Sequence, residues 1–114
     1  MDAASAILIN KALDGLWTRS LVTAQNVANA GTAGYRPMRV SFEEALQRAA
    51  RQGAPAVHDV RPVVTQVPAS AMDGGMRLDL ELATASETGM RYAALVDLLG
   101  RQLQISRTLI RGGQ

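Results

Sequence analysis

The sequence predicts a mainly α fold, in which an elongated, coiled-coil-like antiparallel pair of long terminal helices is joined by a Pro/Gly-rich, partly extended middle segment. Apolar side chains alternate at spacings of three and four residues over both ends of the chain, as on a helical face. Three of the four prolines lie between residues 53 and 75. Two helices of about 30 residues would each be about 45 Å long, which is too long for a compact globule of this size.

The first element is predicted as a helix over residues 3–30, a run that lacks proline. We expect it to end at Gly31 and Gly34, because glycines suit a left-handed cap and a turn. The chain then divides into three segments of one elongated domain: the N-terminal helix with its turn (1–34), a middle segment (35–78) and the C-terminal helix (79–114).

The middle segment is predicted to contain one short helix and one strand-like piece. Ser41, followed three residues later by Glu44, indicates a capping box at the start of a helical piece that reaches Arg51. The run Val63–Val67 is strand-like, but prolines on both sides limit it to a sheet edge or an extended loop.

The C-terminal helix is predicted over residues 80–110, where the alternation of three and four continues for four heptads. A second apolar stripe lies beside the first. A two-helix hairpin leaves one side of each helix open, so apolar surface remains for a neighbouring molecule. The sequence therefore predicts assembly, through an interface formed by Leu13, Leu16, Val27, Leu82, Tyr92, Val96, Leu99 and Leu103.

The composition argues against catalysis, metal binding and nucleic-acid binding. The chain has no cysteine, one histidine and 4% aromatic residues, with a net charge of +2. These values exclude thiolate metal sites and cysteine nucleophiles, and they disfavour stacking platforms and electrostatic steering to nucleic acid. We expect no catalytic residue, no cofactor, no metal and no small-molecule substrate.

Three weaker alternatives stay open. His58 beside Asp59 is the one candidate for imidazole catalysis, although an exposed loop position is the simpler interpretation. The arginines are scattered from Arg19 to Arg111 without interleaved aromatics, which disfavours nucleic-acid binding. An N-terminal helix lying on a membrane would need more basic residues on its polar side.

No run of apolar residues is long enough to span a bilayer, and Asp2 stands where a signal peptide would be basic, so no cleaved signal is expected.

The stretch from Leu21 to Arg36 is more specific than any of these features. Asn26 and Asn29, near a helix end, can hydrogen-bond free carbonyls or a facing helix, and Tyr35 can fold back onto the helix. The stretch resembles the signature Ala-x-Asn-x-Ala-Asn-x-x-Thr-Pro-Gly-Tyr of the flagellar axial proteins, with alanine in place of the proline. The matching positions are Ala24, Asn26, Ala28, Asn29, Thr32, Gly34 and Tyr35.

Further matches point within that group to the flagellar basal-body rod protein family. Arg36 directly follows Tyr35, the tyrosine of the signature, and Phe42 comes seven positions after Tyr35. Glu81 lies eleven positions before Tyr92, which opens a leucine-rich helix. The resemblance covers about two thirds of the chain and leaves the middle unmatched.

The resemblance implies a structural subunit of the proximal rod that transmits torque from the membrane ring toward hook and filament. It implies helical self-assembly, FlgC-like and FliE-like rod partners, contact with the membrane ring, and no enzyme activity. It also implies passage through the flagellar type III export apparatus and a final place in the periplasmic rod. The alternative is a cytoplasmic oligomeric helical adaptor without catalytic activity.

Overall fold

The computed structural model describes residues 1–112 and is mainly helical, which confirms the coarse fold class. A long helix lies at each end, with a small sheet and two short helices between. Residues 113 and 114, which end the predicted third segment, lie outside the described residues. The elements in order are α1 (Ala3–Ala28), β1 (Met38–Ser41), α2 (Glu43–Ala50), α3 (Ala54–His58), β2 (Val63–Gln66), a 3-10 turn (Ala69–Ala71) and α4 (Leu78–Gly112).

α1 begins with a side-chain cap and ends two residues before the predicted end. Asp2 Oδ1 accepts a hydrogen bond of 2.7 Å from the backbone N–H of Ser5, which satisfies one free donor of the first turn. Asn29 caps the other end. The left-handed position predicted at Gly31 is wrong, whereas Gly34 has a φ of +77° and makes the left-handed turn.

The middle segment contains a two-stranded antiparallel sheet. Met38 of β1 lies opposite Gln66 of β2, and Ser41 lies opposite Val63. β2 falls within the predicted strand-like run and is exposed along its whole length. β1 was not predicted: its residues alternate between apolar and polar, but four residues are too few for that alternation to identify a strand.

Two further features of the middle segment differ from prediction. The capping box at Ser41 and Glu44 is wrong: Ser41 ends β1, and the N-cap of α2 is Phe42, whose apolar side chain makes no capping hydrogen bond. α3 replaces the irregular chain expected after residue 53, with a proline in its first turn, where the missing N–H costs nothing.

The hydrophobic core lies where the middle segment packs on one side of α1. Phe42 approaches α1 so closely that a Cβ added at Gly15 would lie 2.5 Å from its ring. This contact explains why α1 carries a glycine in mid-helix, despite the usual cost of about 1 kcal/mol. The buried core comprises Leu16, Val40, Phe42, Leu46, Ala49 and Val57.

α1 and α4 run in opposite directions and make the molecule long. Asn26 near the end of α1 is bonded to Glu81 near the start of α4, and Ala12 lines the same groove as Leu95. The described chain measures 64 × 27 × 14 Å, with a radius of gyration of 17.9 Å. A compact chain of this length would have a radius of gyration of about 13 Å, so the fold is elongated.

Candidate functional site

A buried hydrogen-bond cluster is centred on Asn26, whose side chain is completely buried. Its Nδ2 donates to the carbonyl of Met38 at 2.9 Å and to Glu81 Oε2 at 3.0 Å. Its Oδ1 accepts from the Met38 N–H and the Tyr35 hydroxyl, both at 2.9 Å. An asparagine amide offers two donors and two acceptor lone pairs, so all four are used. The Asn26 cluster therefore joins α1, the following turn, β1 and α4.

Glu81 brings a charge into this cluster. Its side chain is 2% exposed, and the carboxylate is held by Asn26 on one oxygen and by Arg39 Nη1 at 2.6 Å on the other. The Arg39 side chain itself is 55% exposed. A buried carboxylate is costly unless it is paired and hydrogen-bonded, and here both conditions hold.

The turn after α1 holds Tyr35 in place for the cluster. Asn29 Nδ2 donates to the Gln25 carbonyl at 2.9 Å, and its Oδ1 accepts from the Thr32 hydroxyl at 3.1 Å. The Tyr35 N–H then bonds to the Thr32 carbonyl at 3.2 Å. The predicted roles of the two asparagines are thus divided: Asn26 reaches the facing helix, and Asn29 bonds a free carbonyl at the helix end.

A second polar contact ties α1 to α2 beside the core. Arg19 binds Glu43 with two hydrogen bonds of 2.6 and 2.7 Å and donates to the Val40 carbonyl at 2.7 Å. Its guanidinium also lies over the Phe42 ring, 4.9 Å from the centroid. The hydrogen bonds from Arg19 hold the pKa of Glu43 below its usual range. Phe42, a signature position, is therefore fixed by Gly15 and Arg19 of α1.

Of the signature residues, Asn26, Tyr35 and Glu81 meet in the buried cluster, and Asn29 and Thr32 bond to each other in the turn. Asn26 and Tyr35 come from the motif, and Glu81 comes from 55 residues after Asn26, yet they share one buried cluster. Ala24 and Ala28 are exposed on α1. Arg39 and Met38, which complete the cluster, were missed, because an exposed arginine and a backbone amide leave no pattern in the sequence.

The predicted interface residues fall into three groups. Leu16 lies in the chain's own core. Leu13, Val27, Tyr92 and Leu99 are half-buried, and Leu82, Val96 and Leu103 are exposed. The residues of α4 that face α1 are Glu81, Thr88 and Leu95, which are spaced by seven. Glu81 can be buried on this side because the Asn26 cluster satisfies its carboxylate. The exposed group therefore forms a face that the chain leaves uncovered.

The residues considered for chemistry stand apart. His58 is exposed at the end of α3, with Nδ1 3.6 Å from Asp59 Oδ1. Asp79 is exposed and paired with Arg77, and that pairing lowers the pKa of Asp79, whereas Glu81 on the other side of the helix is buried. Over residues 1–112, no group of three or more acidic or histidine side chains is placed to hold a metal ion. Within the same residues, every helix is too short or too polar to cross a bilayer.

Comparison with protein-family models finds no match for this chain, and comparison with curated proteins finds none either.

Proposed function

We propose that the chain is a structural subunit of the proximal rod of the bacterial flagellar basal body, most similar to the rod protein FlgB. The observation that carries this proposal is the Asn26 cluster. It gives a physical task to three signature positions, of which Asn26 and Tyr35 lie nine residues apart and Glu81 lies 55 residues after Asn26. A pattern that matched by chance would not be expected to converge on one fully hydrogen-bonded site.

The architecture suits the task of carrying torque. A rod subunit has to hold its helices at a fixed angle to the rest of the chain while force passes along them. The Asn26 cluster fixes the junction of both long helices with β1, and the Arg19–Glu43 pair fixes α1 to α2. Buried networks whose members are all satisfied are rigid, so the junction would resist bending.

Assembly would proceed by coiled-coil-like packing of the terminal helices against neighbouring rod subunits. The exposed leucines and valine of α4 supply apolar surface for FlgC-like and FliE-like partners and for further copies. In this proposal the chain passes through the type III export apparatus without a cleaved signal and ends in the periplasmic rod beside the membrane ring. It performs no catalysis there.

A cytoplasmic oligomeric helical adaptor is the second candidate. The uncovered apolar face of α4 favours it as much as it favours a rod subunit, because any helical assembly needs such a face. The two candidates differ in location and in phenotype.

Deletion of the gene, with a tagged copy followed through fractionation, separates them. For a rod subunit we expect loss of filaments and recovery of the tagged protein in purified basal bodies. Intact flagella with the tagged protein in the cytoplasm would support the adaptor and reject the rod.

A pair of substitutions tests the role of the α4 face in the same strain. Val96→Asp places a charge on a predicted interface residue that is 46% exposed, so the free chain should fold normally while rod assembly fails. Met90→Asp is the matched control, since Met90 is 66% exposed on the same helix but points away from that face. Leu99 is less suitable, because it is half-buried within the chain itself.

A further inference from the structure

α1 covers one edge of the small sheet. Asn26 bonds both backbone groups of Met38, its N–H and its carbonyl, each at 2.9 Å. Arg19 donates to the Val40 carbonyl at 2.7 Å, two residues further along β1. In an antiparallel pair, such alternate residues direct their backbone groups away from the partner strand. Side chains of α1 therefore bond to the outward edge of β1, as a neighbouring strand would.

The other edge of the sheet, along β2, is open. The Val67 N–H donates to the Pro37 carbonyl at 2.8 Å, and this bond fixes the phase of the ladder between the two strands. In that phase Val64 and Gln66 direct their N–H and carbonyl groups away from β1. Among residues 1–112, no hydrogen bond reaches these four backbone groups, and every residue of β2 is exposed. The edge can therefore accept a further strand.

Two prolines set the length of this open edge. Pro62 precedes β2 and Pro68 follows Val67, and neither has an N–H that could extend a ladder. A docked strand would pair with about five residues, over about 16 Å. No residue from Val63 to Val67 is charged, so the strand lacks the charges that often protect an exposed edge from pairing.

An arginine with free donors lies at the end of the edge. Arg36 Nη2 donates to the side-chain oxygen of Gln66 at 2.7 Å, and its Nη1 lies 3.5 Å from the Val67 carbonyl. Both acceptors are uncharged, and a guanidinium has five N–H groups. No carboxylate among residues 1–112 lies within 4.0 Å of Arg36. The adjoining hollow of about 390 Å³ has Arg36 as its one charged lining residue, so a carboxylate arriving there would find a cation to bind.

The sequence around β2 argues against a second copy as the occupant. Residues 60–72, which contain β2 and its flanks, include Arg61 but no acidic residue. Two β2 strands paired edge to edge would therefore bring no carboxylate from this segment to Arg36. An extended segment of another protein with an acidic end supplies both things that the edge can bind, because it offers backbone groups to Val64 and Gln66 and a carboxylate to Arg36.

We propose that β2 accepts an extended segment of a partner protein as a third strand. The segment is about five residues long, contains no proline and places an acidic residue beside Arg36. The inference goes beyond the proposed function, because a rod subunit and a cytoplasmic adaptor could use such an edge equally well.

Titration of a peptide into the isotope-labelled full chain, followed by NMR, tests the docking. The probe is acetyl-Glu-Thr-Val-Thr-Val-Glu-amide, which has an acid at each end and so suits either strand direction. We expect saturable binding with a Kd of about 1 mM or less. The peptide should slow the hydrogen exchange of the Val64 and Gln66 amides. The Val63 and Thr65 amides, which face β1, should change little.

Val64→Pro tests whether the outward N–H carries the contact. Proline is tolerated where an edge N–H faces solvent, so the pairing with β1 should survive, and slow exchange of the Thr65 amide would show that it does. Peptide binding should weaken by about tenfold or more. Val64→Thr is the matched control, because it keeps the N–H and a branched side chain, and it should change the Kd by less than about twofold. If the proline disrupts the sheet, the exchange pattern of the wild-type amides decides alone.

Arg36→Gln tests the acidic residue of the partner. The wild-type chain should bind a peptide with both glutamates replaced by glutamine about fivefold more weakly than the probe. Arg36→Gln should abolish that difference. Arg107→Gln makes the same change of charge near the far end of α4 and should preserve it. Equal affinity of the wild-type chain for the two peptides would overturn the acidic residue.

Three further results would overturn the inference. The first is no slowing of exchange at Val64 and Gln66 with about 5 mM peptide. The second is unchanged binding in Val64→Pro with an intact sheet. The third is slowing of the same two amides at rising protein concentration without peptide, which would place a second copy on the edge. None of these results depends on gene deletion, so the proposed function is tested separately.

Discussion

Asn26 shows why one residue type is required at the junction of four segments. Its amide must donate twice and accept twice within about 3 Å, and no water reaches it. Aspartate has the same shape but no donor when it is ionised, and alanine has neither donor nor acceptor. Replacing the residue therefore leaves several buried groups without partners, Glu81 among them.

Three substitutions at the Asn26 cluster should form a graded series in urea unfolding. Tyr35→Phe removes one hydrogen bond and should lower the free energy of unfolding by about 1 kcal/mol. Asn26→Ala leaves the Met38 backbone and Glu81 short of partners and should cost about 3 kcal/mol or more. Asn26→Asp sets a second carboxylate against Glu81, so its loss relative to wild type should shrink as the pH falls and one carboxylate is protonated.

Asn29→Ala is the control for this series, because Asn29 bonds only within the end of α1 and its turn. It should cost no more than about 1 kcal/mol. Equal losses for Asn26→Ala and Asn29→Ala would contradict the special place given to the cluster.

Glu43 should make the stability of the protein depend on pH. Hydrogen bonds from Arg19 lower the pKa of Glu43 in the folded chain below its unfolded value of about 4.3. A lowered folded pKa means that the stabilisation is present above the unfolded pKa and is lost as the pH falls through the folded one. The free energy of unfolding, measured from pH 7 to pH 3, should therefore fall less steeply in Glu43→Gln than in wild type. Parallel curves would show that the pair contributes nothing to stability.

At the scale of elements, Gly15 and Gly100 both lie inside helices, but their surroundings differ. Gly15 lies against Phe42, whereas a Cβ added at Gly100 would meet nothing within 4 Å. Gly15→Ala should therefore destabilise the protein, because the methyl group would force the ring out of the core by more than the roughly 1 kcal/mol of helix propensity gained.

Gly100→Ala should raise the free energy of unfolding by about 0.5–1 kcal/mol, since only the propensity changes. Thermal unfolding of the two variants side by side gives the comparison. Stabilisation by both substitutions would mean that the Phe42 ring does not depend on the glycine.

The sequence pattern predicts the elements in which the apolar spacing continues over several heptads. α1 and α4 run for several heptads, so their apolar spacing is plain and their ends were predicted within two residues. β1 and α3 have four and five residues, and long-range contacts decide their conformation. The capping box failed because Ser41 is taken up in pairing with Val63, a contact between positions 22 residues apart.

The candidate site was predictable only in its local part. Asn26 and Tyr35 lie nine residues apart, and their contact follows from a helix end and a tight turn. The residue buried with them, Glu81, came only from the family resemblance, because a glutamate in the first turn of a helix is normally a solvated one. Burial of a charge depends on the tertiary structure, which composition and periodicity do not encode.

At the scale of the whole molecule, the monomer should be visibly long in solution. The radius of gyration of 17.9 Å exceeds the roughly 13 Å of a compact chain of this length. Small-angle scattering of the dilute protein, or of Val96→Asp if wild type associates, should give a value near 18 Å. A value near 13 Å would mean that α4 folds back on the middle segment.

The connection between β2 and α4 is a place where the chain could be cut without separating its two parts. It includes Gly74 and Gly75, both at positive φ, and the exposed Arg77. The Asn26 cluster joins the two sides of this connection, because Glu81 lies after it and its two partners, Asn26 and Arg39, lie before it. A chain cut between Met72 and Arg77 should thus stay together as two fragments, and a gene split there should yield complementing halves.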